Sequence, residues 1–307
     1  MIRKISIISA LILLPLKCFS QAGSFSTIPL DAKTTAKGNT FIAGESNASI
    51  YSNLAAANFG DKKFEVDFNY RPWQNEASLD YLLYGFSGFY SINNNNGVAI
   101  GFKKYNMPNY NITDENGNYK GTYEPSEFSL GLGYVINVSQ KSAISVSFNY
   151  LESNLGVDYS SNTFYLDLGF KSSYKKIDYG LMIRNLGPKL EFDQESSILP
   201  LNIGGGITYP IELSPKHLLS TSLDLSYLTN HEHSGLYSGI GLQYQYNNLL
   251  ALRSGYGHFD DAIGVNGFTF GGGVHFRGIS VDVAWLKSDS ILKNNFNISC
   301  SFAFNKK

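Results

Sequence analysis

The chain has 307 residues, of which 43% are hydrophobic, 14% aromatic and only 16% charged, with a formal net charge of −1. The charged fraction is well below the quarter that is usual in globular proteins. Beyond the first twenty residues no apolar run approaches the roughly 18 residues of a spanning helix, which excludes a helical membrane protein. The many Tyr and Phe residues argue against disorder. A β protein remains, either a soluble sandwich or a transmembrane barrel.

The first twenty residues have the layout of a secretory signal peptide. Arg3 and Lys4 form a positive start, and residues 5–16 form an apolar stretch that is too short to span a membrane. Small residues near Ser20 predict cleavage there, which makes Gln21 the first residue of the mature chain. We therefore expect export through the inner membrane and location in the outer membrane.

Cleavage at this position determines the net charge and the cysteine content of the mature chain. Lys17, rather than a small residue, precedes Cys18, which disfavours a lipoprotein. The mature net charge becomes about −4, so no nucleic-acid partner is expected. Cys300 is the only cysteine left, and no internal disulfide is possible.

Residues 21–62 form an N-terminal segment without β alternation. The composition of residues 48–58 predicts a short helix whose centre lies at residues 55–57. We expect this segment to plug a barrel from the periplasmic side.

From residue 63 onward, stretches of about ten alternating apolar and polar residues repeat between turns, as residues 63–70 illustrate. The pattern predicts an all-β fold, a fourteen-stranded antiparallel transmembrane β-barrel over residues 63–304 with a tail at 305–307. An even strand number is expected for a closed bacterial barrel. The predicted strands are 63–72, 79–90, 96–106, 125–136, 142–152, 162–172, 176–185, 200–210, 217–228, 235–246, 249–257, 266–277, 278–288 and 294–304.

The connections between these strands alternate in length. Odd connections include the long segments 107–124, 186–199 and 258–265, whereas even connections are tight turns at 94–95, 247–248 and 277–278. Such sorting is expected when one end of a barrel faces the outside and the other the periplasm, and a soluble sandwich has no reason for it.

The residue types on each face of the strands predict whether that face contacts lipid or lines the lumen. Apolar residues face outer-membrane lipid, with tyrosines at strand ends in aromatic girdles (Tyr134, Tyr150, Tyr209, Tyr227 and Tyr246). Small inward residues predict a narrow or internally filled lumen (Gly131, Gly133, Gly204, Gly206, Gly271 and Gly273). Inward charges of both signs predict mutual pairing rather than ion selection (Asp67, Asp167, Asp178, Asp224, Asp282, Lys103, Arg184, Arg253 and Arg277).

No catalytic, cofactor or metal site is predicted. His231-Glu232-His233 has no third ligand at a recognised spacing and is interpreted as a solvated turn. Residues 114–118 lack the closing glutamate of a calcium loop, and Asp260-Asp261 beside His258 is interpreted as a loop tip. The glycine triplets 204–206 and 271–273 lie inside strands, unlike phosphate-binding loops, and no nucleophile with an ordered base emerges.

Several segments resemble the PorV and PorQ barrels of the type IX secretion system. Residues 41–58 are similar to the opening segment of that family, although residues 57–60 lack its proline. Residues 113–123 with 126–134 resemble PorQ more closely than PorV. Residues 184–187 with 199–200 resemble a feature that both share, and residues 267–274 resemble the closing hairpins.

The resemblance implies a fatty-acid-transporter-like barrel without catalysis. It implies work with the attachment complex, which cleaves the C-terminal signal of cargo and joins cargo to surface lipopolysaccharide, the chemistry belonging to PorU. The implied protein partners are PorZ-, PorU- and PorV-like, and the outer loops 107–124, 186–199 and 258–265 are the expected contacts. The alternative is an outer-membrane transporter of small hydrophobic molecules, and a soluble sandwich comes third.

Overall fold

The computed structural model describes residues 22–59, 62–74, 80–193, 195–229, 234–259, 266–288 and 294–305. Within them fourteen antiparallel strands form a barrel that closes between the first and last strands, which confirms the predicted fold. No helix in these ranges is long and apolar enough to cross a membrane. The barrel strands are β1 Lys62–Gln74, β2 Asp80–Ser91, β3 Asn96–Asn106, β4 Ser126–Ser139, β5 Ser142–Gly156, β6 Tyr159–Tyr174, β7 Ile177–Leu186, β8 Leu201–Ser214, β9 His217–Thr229, β10 Gly235–Tyr246, β11 Leu250–Phe259, β12 Gly267–Phe276, β13 Ile279–Ser288 and β14 Asn294–Asn305.

The alternation of residue types along each strand separates two faces. Outward positions carry exposed apolar side chains, such as Leu132 and Leu252, whereas Asp67, Ser129 and Arg253 point inward and are buried. A closed ladder pairs the backbone groups along the wall, which a hydrocarbon environment requires. The outward apolar surface is therefore the lipid-facing surface of a transmembrane barrel.

The strands meet at two different ends. At one end, called the turn end, all six connections between even and odd strands have two to four residues. Asn247 and Asn248 (φ 52° and 54°) and the pair Arg277 and Gly278 (φ 49° and 85°) adopt the left-handed conformation of tight hairpin turns. Both barrel termini, Lys62 and Asn305, lie at the turn end.

The opposite end, called the loop end, holds the long connections. Residues 107–125 contain a small hairpin, Tyr110–Thr113 with Tyr119–Tyr123, and residues 187–200 contain Leu190–Glu191 paired with Ser196–Ser197. The predicted strand bounds at residues 152 and 162 are wrong: β5 ends at Gly156, β6 begins at Tyr159, and the two meet in the two-residue turn 157–158. The ladder there continues from Asn154–Ser160 to Gly156–Tyr159. β8 likewise extends past its predicted end at residue 210 to Ser214.

Residues 22–59, called the plug, lie inside the barrel. Their short helices are Ser24–Thr27, Ala32–Thr35, Ser49–Tyr51 and Leu54–Phe59, of which only Ala32–Thr35 is α-helical. The helix predicted over 48–58 is thus two 3₁₀ turns. The Asp31 side chain accepts a hydrogen bond from the Thr34 amide at 2.8 Å and caps the α-helical turn.

An apolar cluster joins the plug to part of the wall. Phe25, Ile50 and Leu54 of the plug pack with inward residues such as Leu83 and Leu151. This packing explains why residues 81–84 are apolar on both faces, since one face meets the plug and the other faces outward.

Candidate functional site: the filled lumen and the outer rim

The plug winds around the inner wall and contacts all fourteen strands. Its first pass, residues 22–42, follows the half of the wall nearer the loop end, from Glu127 of β4 round to Asp224 of β9. Its second pass, residues 44–59, follows the half nearer the turn end. The chain therefore runs from the loop end to the turn end before β1 begins.

Inward glycines provide the space for this path. A Cβ at Gly271 would lie 2.5 Å from the Ala36 Cβ, and one at Gly206 would lie 2.9 Å from the Ile42 Cβ. Of the six inward glycines identified from the sequence, five face plug side chains, and only Gly273 faces Asp282 and His275 of the wall instead. The prediction of an internally filled lumen agrees with this packing.

Three cations of the wall bind carbonyl groups at the start of the plug. Lys103 Nζ donates to the Ser26 and Ile28 carbonyls at 3.3 and 2.8 Å, Arg184 Nη2 donates to Ser26 at 2.9 Å, and Arg71 Nη1 donates to Pro29 at 2.9 Å. All three wall side chains are buried. Hydrogen bonds from charged donors are stronger than neutral ones.

Two carboxylates of the wall bind plug amides in the same way. Asp224 Oδ2 accepts from the amides of Phe41 and Ile42 at 2.6 and 2.9 Å, and Glu127 Oε1 accepts from Gly23 at 2.6 Å. Asp224 is 1% exposed and Glu127 2% exposed. A buried carboxylate needs such partners because it has lost water. The wall thus supplies the hydrogen bonds that the irregular plug backbone lacks.

Other inward charges pair across the wall, as predicted. Arg253 Nη1 lies 2.6 Å from Asp282 Oδ1, and His275 Nε2 lies 3.2 Å from the same atom. Lys171 pairs with Asp178 at 3.4 Å. Pairing between wall charges therefore accounts for only some of the inward charges, and others bind the plug backbone.

The remaining predicted inward charges differ in their surroundings. Asp167 lies 4.0 Å from Arg184 and also accepts the Asn185 amide at 2.7 Å. Asp67 accepts hydrogen bonds from Ser87 and Asn69. Arg277 was predicted to face inward and does not: it is exposed in the β12–β13 turn, beyond the last inward position of β12.

Sequence reasoning missed two of the plug-binding residues, Arg71 and Glu127. Arg71 shares the inward parity of Asp67 and Asn69 on β1, and Glu127 shares that of Ser129 on β4. This parity is the signal that would have identified them.

A small cavity remains between the plug and the wall. It has a volume of about 40 Å³, and its lining includes Phe41, Ile42, Asn202 and Asp224. An apolar cavity of about 150 Å³ is the size that accommodates benzene. This space is therefore too small for a hydrocarbon ligand while the plug is in place.

Three of the connections at the loop end, all within the described residues, form a surface called the outer rim, from residues 107–125, 157–158, 187–193 and 195–200. Tyr110 Oη donates to the Leu155 carbonyl at 3.4 Å, which lays the first hairpin on the end of β5. Tyr159 stacks on Phe192 with ring centroids 4.4 Å apart and donates to Glu195 at 3.2 Å. These contacts tie both hairpins to the short turn between them.

The outer rim is acidic and carries exposed aromatic and apolar groups. It holds seven carboxylates and two lysines. Tyr110, Tyr119 and Val157 are all exposed there. Tyrosines of this kind are enriched in protein interfaces.

The candidate chemical sites gain no support from the described residues. Asp114 accepts the Asn116 and Asn118 amides at 3.0 and 2.9 Å and pairs with Lys120 at 3.3 Å, so its oxygens close a polar loop. No group of three or more His, Cys, Asp or Glu in the part of the chain that the structure describes is arranged to hold a metal. Ser20, Gln21, His231-Glu232-His233 and Asp260-Asp261 lie outside the described residues.

A family model described as "Type IX secretion system protein PorV" matches residues 16–230, more than half of the chain. The chain belongs to the PorV family. Together with the barrel, membership of the PorV family indicates location in the outer membrane. No curated protein matches the sequence.

Solved structures support the architecture of this PorV-family barrel. The chain is similar to the Pseudomonas putida toluene transporter TodX, with 12% identity, a TM-score of 0.65, and coverage of 90% of this chain and 99% of TodX. It is also similar to the CymD monoaromatic hydrocarbon channel (11%, TM-score 0.67, 91% and 99%) and to a Pseudomonas aeruginosa FadL homologue (11%, TM-score 0.57, 91% and 99%). Identities this low establish a shared fold only.

Proposed function

We propose that this chain is a non-catalytic outer-membrane anchor of the type IX attachment complex, and that its outer rim holds a surface protein. The observation that carries the proposal is the construction of the outer rim. Two hairpins are fixed to each other through Tyr110 and Tyr159, so the rim presents its exposed aromatic groups on a defined framework. A preorganised surface loses less entropy on binding than separate flexible loops do.

Membership of the PorV family supports a role in type IX secretion. The resemblance of residues 113–134 to PorQ favours a PorQ-type role, in which the partner is a soluble PorZ-like surface protein with PorU- and PorV-like proteins nearby. Export by the signal peptide at 1–20 is part of the same proposal, with residues 21–62 as plug segment and 63–304 as barrel.

Transport of small hydrophobic molecules fits the lumen less well. The wall holds the plug through buried charge-assisted hydrogen bonds from Lys103, Arg184 and Asp224. A transport path through the lumen would require the plug to break these charge-assisted hydrogen bonds.

Charge reversal on the rim tests the anchoring role. The triple variant Glu115→Lys, Glu124→Lys and Asp158→Lys changes exposed side chains only, so folding is expected to be preserved. We expect a large loss of the surface partner in pull-downs from native membranes and loss of cargo display at the cell surface.

The matched control reverses three exposed lysines of the turn end, Lys141→Glu, Lys175→Glu and Lys216→Glu. Equal partner recovery from the wild type and the rim triple would contradict the proposal. Deletion that leaves cargo display intact while abolishing uptake of a labelled fatty acid would favour the transporter.

A further inference from the structure

The turn end of the barrel has a charge distribution opposite to that of the outer rim. Its six connections contain five cations and no carboxylate: Lys141, Lys175, Lys176, Lys216 and Arg277. All five side chains are exposed. The excess of cations lies where the barrel meets the periplasmic leaflet, because short connections face the periplasm in outer-membrane barrels.

Two of these cations lie against lipid-facing rings rather than pointing into the lumen. The Arg277 guanidinium lies 5.1 Å from the ring centroid of Phe276, and the Lys175 ammonium lies 5.4 Å from that of Tyr174. Both rings are exposed on the outside of the wall. The cations are therefore held at the height where lipid headgroups meet acyl chains.

The outer wall contains an apolar groove of about 590 Å³ that extends over β10 to β13, the strands on either side of the Arg277 turn included. Gly272 forms its floor because it points outward without a side chain, between Leu252 on β11 and Val283 on β13. The groove also includes Tyr244, Tyr246, Leu250, Val274 and Val281. All of these positions lie in the half of the wall nearer the turn end.

Polar residues adjoin the groove on its β9 side and beyond its turn end. His217 Nδ1 and Tyr244 Oη are 2.5 Å apart on the outer face. The Asn247 amide donates to the Lys216 carbonyl at 2.7 Å, which holds the Lys216 turn against the strand that carries Tyr246. Arg277 follows Val274 by three residues, or roughly 10 Å along a strand.

We infer that this groove, together with Lys216 and Arg277, binds one anionic phospholipid of the periplasmic leaflet. An acyl chain fills the space above Gly272, and the headgroup phosphate lies at the turn end of the groove, flanked by the Lys216 turn on the β9 side and by the Arg277 turn on the β12 side. The absence of carboxylates from all six turns favours an anionic headgroup over a zwitterionic one. This site is independent of the outer rim and of the proposed anchoring role.

The experiment uses delipidated full-length protein in detergent, with phosphatidylglycerol or phosphatidylcholine added and bound lipid counted by native mass spectrometry. We expect one phosphatidylglycerol to bind at least tenfold more tightly than phosphatidylcholine. Gly272→Leu, which fills the groove, and the double variant Lys216→Gln with Arg277→Gln should each reduce phosphatidylglycerol binding at least tenfold.

Matched controls separate the site from general effects. Gly205 also points outward, and a Cβ there would meet its nearest neighbour at 3.2 Å, the same distance as at Gly272, so Gly205→Leu tests the addition of a leucine elsewhere. Lys141→Gln with Lys175→Gln tests removal of two other turn cations. Heat-modifiable mobility in gels checks that each variant is folded. Equal binding of the two lipids, or equal loss in site and control variants, overturns the inference, as does unchanged binding in either site variant.

Discussion

Replacement of Gly38 by alanine is expected to loosen the plug while the barrel remains closed. Gly38 has φ of +64°, in the left-handed region, where an L-residue costs roughly 1–2 kcal/mol. The added Cβ would also lie 2.5 Å from the carbonyl oxygen of Ile240 and 2.6 Å from that of Tyr256. Both oxygens belong to the β10–β11 ladder, which cannot shift without breaking hydrogen bonds, so overpacking adds about 1–3 kcal/mol. The total loss for local plug packing is about 2–5 kcal/mol.

Hydrogen exchange followed by mass spectrometry measures this loss of local stability in the plug. A local opening that becomes easier by 2 kcal/mol accelerates exchange roughly thirtyfold, since each 1.4 kcal/mol is a factor of ten. The effect should be confined to peptides around residues 36–42, and the strand peptides should keep their protection.

Gly23→Ala is the matched control within the plug. Gly23 has φ of +80°, but its nearest neighbour is the Leu199 Cδ2 atom at 2.8 Å, the end of a side chain that can rotate away. Only the backbone cost of roughly 1–2 kcal/mol is expected there. If Gly38→Ala accelerates local exchange no more than Gly23→Ala does, the reasoning from a rigid wall is refuted.

Three further expectations concern buried polar groups. Asp224→Asn should weaken plug attachment at Phe41 and Ile42 by about 1–2 kcal/mol. Proteolysis near these two residues should become faster, and an unchanged cleavage rate would count against the charge-assisted hydrogen bonds. Arg253→Met leaves the Asp282 carboxylate without its closest cation and should destabilise the folded barrel by about 3–5 kcal/mol. The temperature of the heat-modifiable gel transition should fall, and an unaltered transition would contradict this expectation. Burial, Arg253 and Lys33 lower the pKa of Lys37 from 10.5 to about 8. Because the folded pKa is below the unfolded one, plug packing should gain stability as pH rises from about 8 to 10.5, and Lys37→Met should abolish that gain in protease resistance.

The wall of the barrel could be predicted from the sequence because strand parity is a local property. All fourteen strands lie where the alternation indicates them, including β2, whose two apolar faces obscured the pattern. The turn 157–158 was missed because six of the nine residues 153–161 are Ser, Asn, Gly or Asp, and such residues suit an extended loop and the end of a ladder equally well. Only the pairing partner across the ladder decides between them.

The path of the plug could not be predicted in the same way. Its residues make few regular hydrogen bonds with one another, and their backbone partners are distant in sequence: Glu127 lies 104 residues from Gly23, and Asp224 lies 183 residues from Phe41. The inward glycines showed that the lumen is narrow, but not which segment fills it. The charges were identified as inward, yet their role as plug ligands appears only when both partners are placed.

The route of the plug has a consequence for the order of assembly. Ala22 is buried in the same apolar cluster as Leu190 and Leu199 at the loop end, whereas Phe59 lies near the turn end, just before β1. The seam of the barrel joins β1, which follows the plug in the chain, to β14. A wall closed in advance would leave no room to thread the plug past the tight glycine contacts. We therefore expect β14 to pair with β1 only after the plug is seated, and we expect loss of β14 to release the plug as well as to open the sheet.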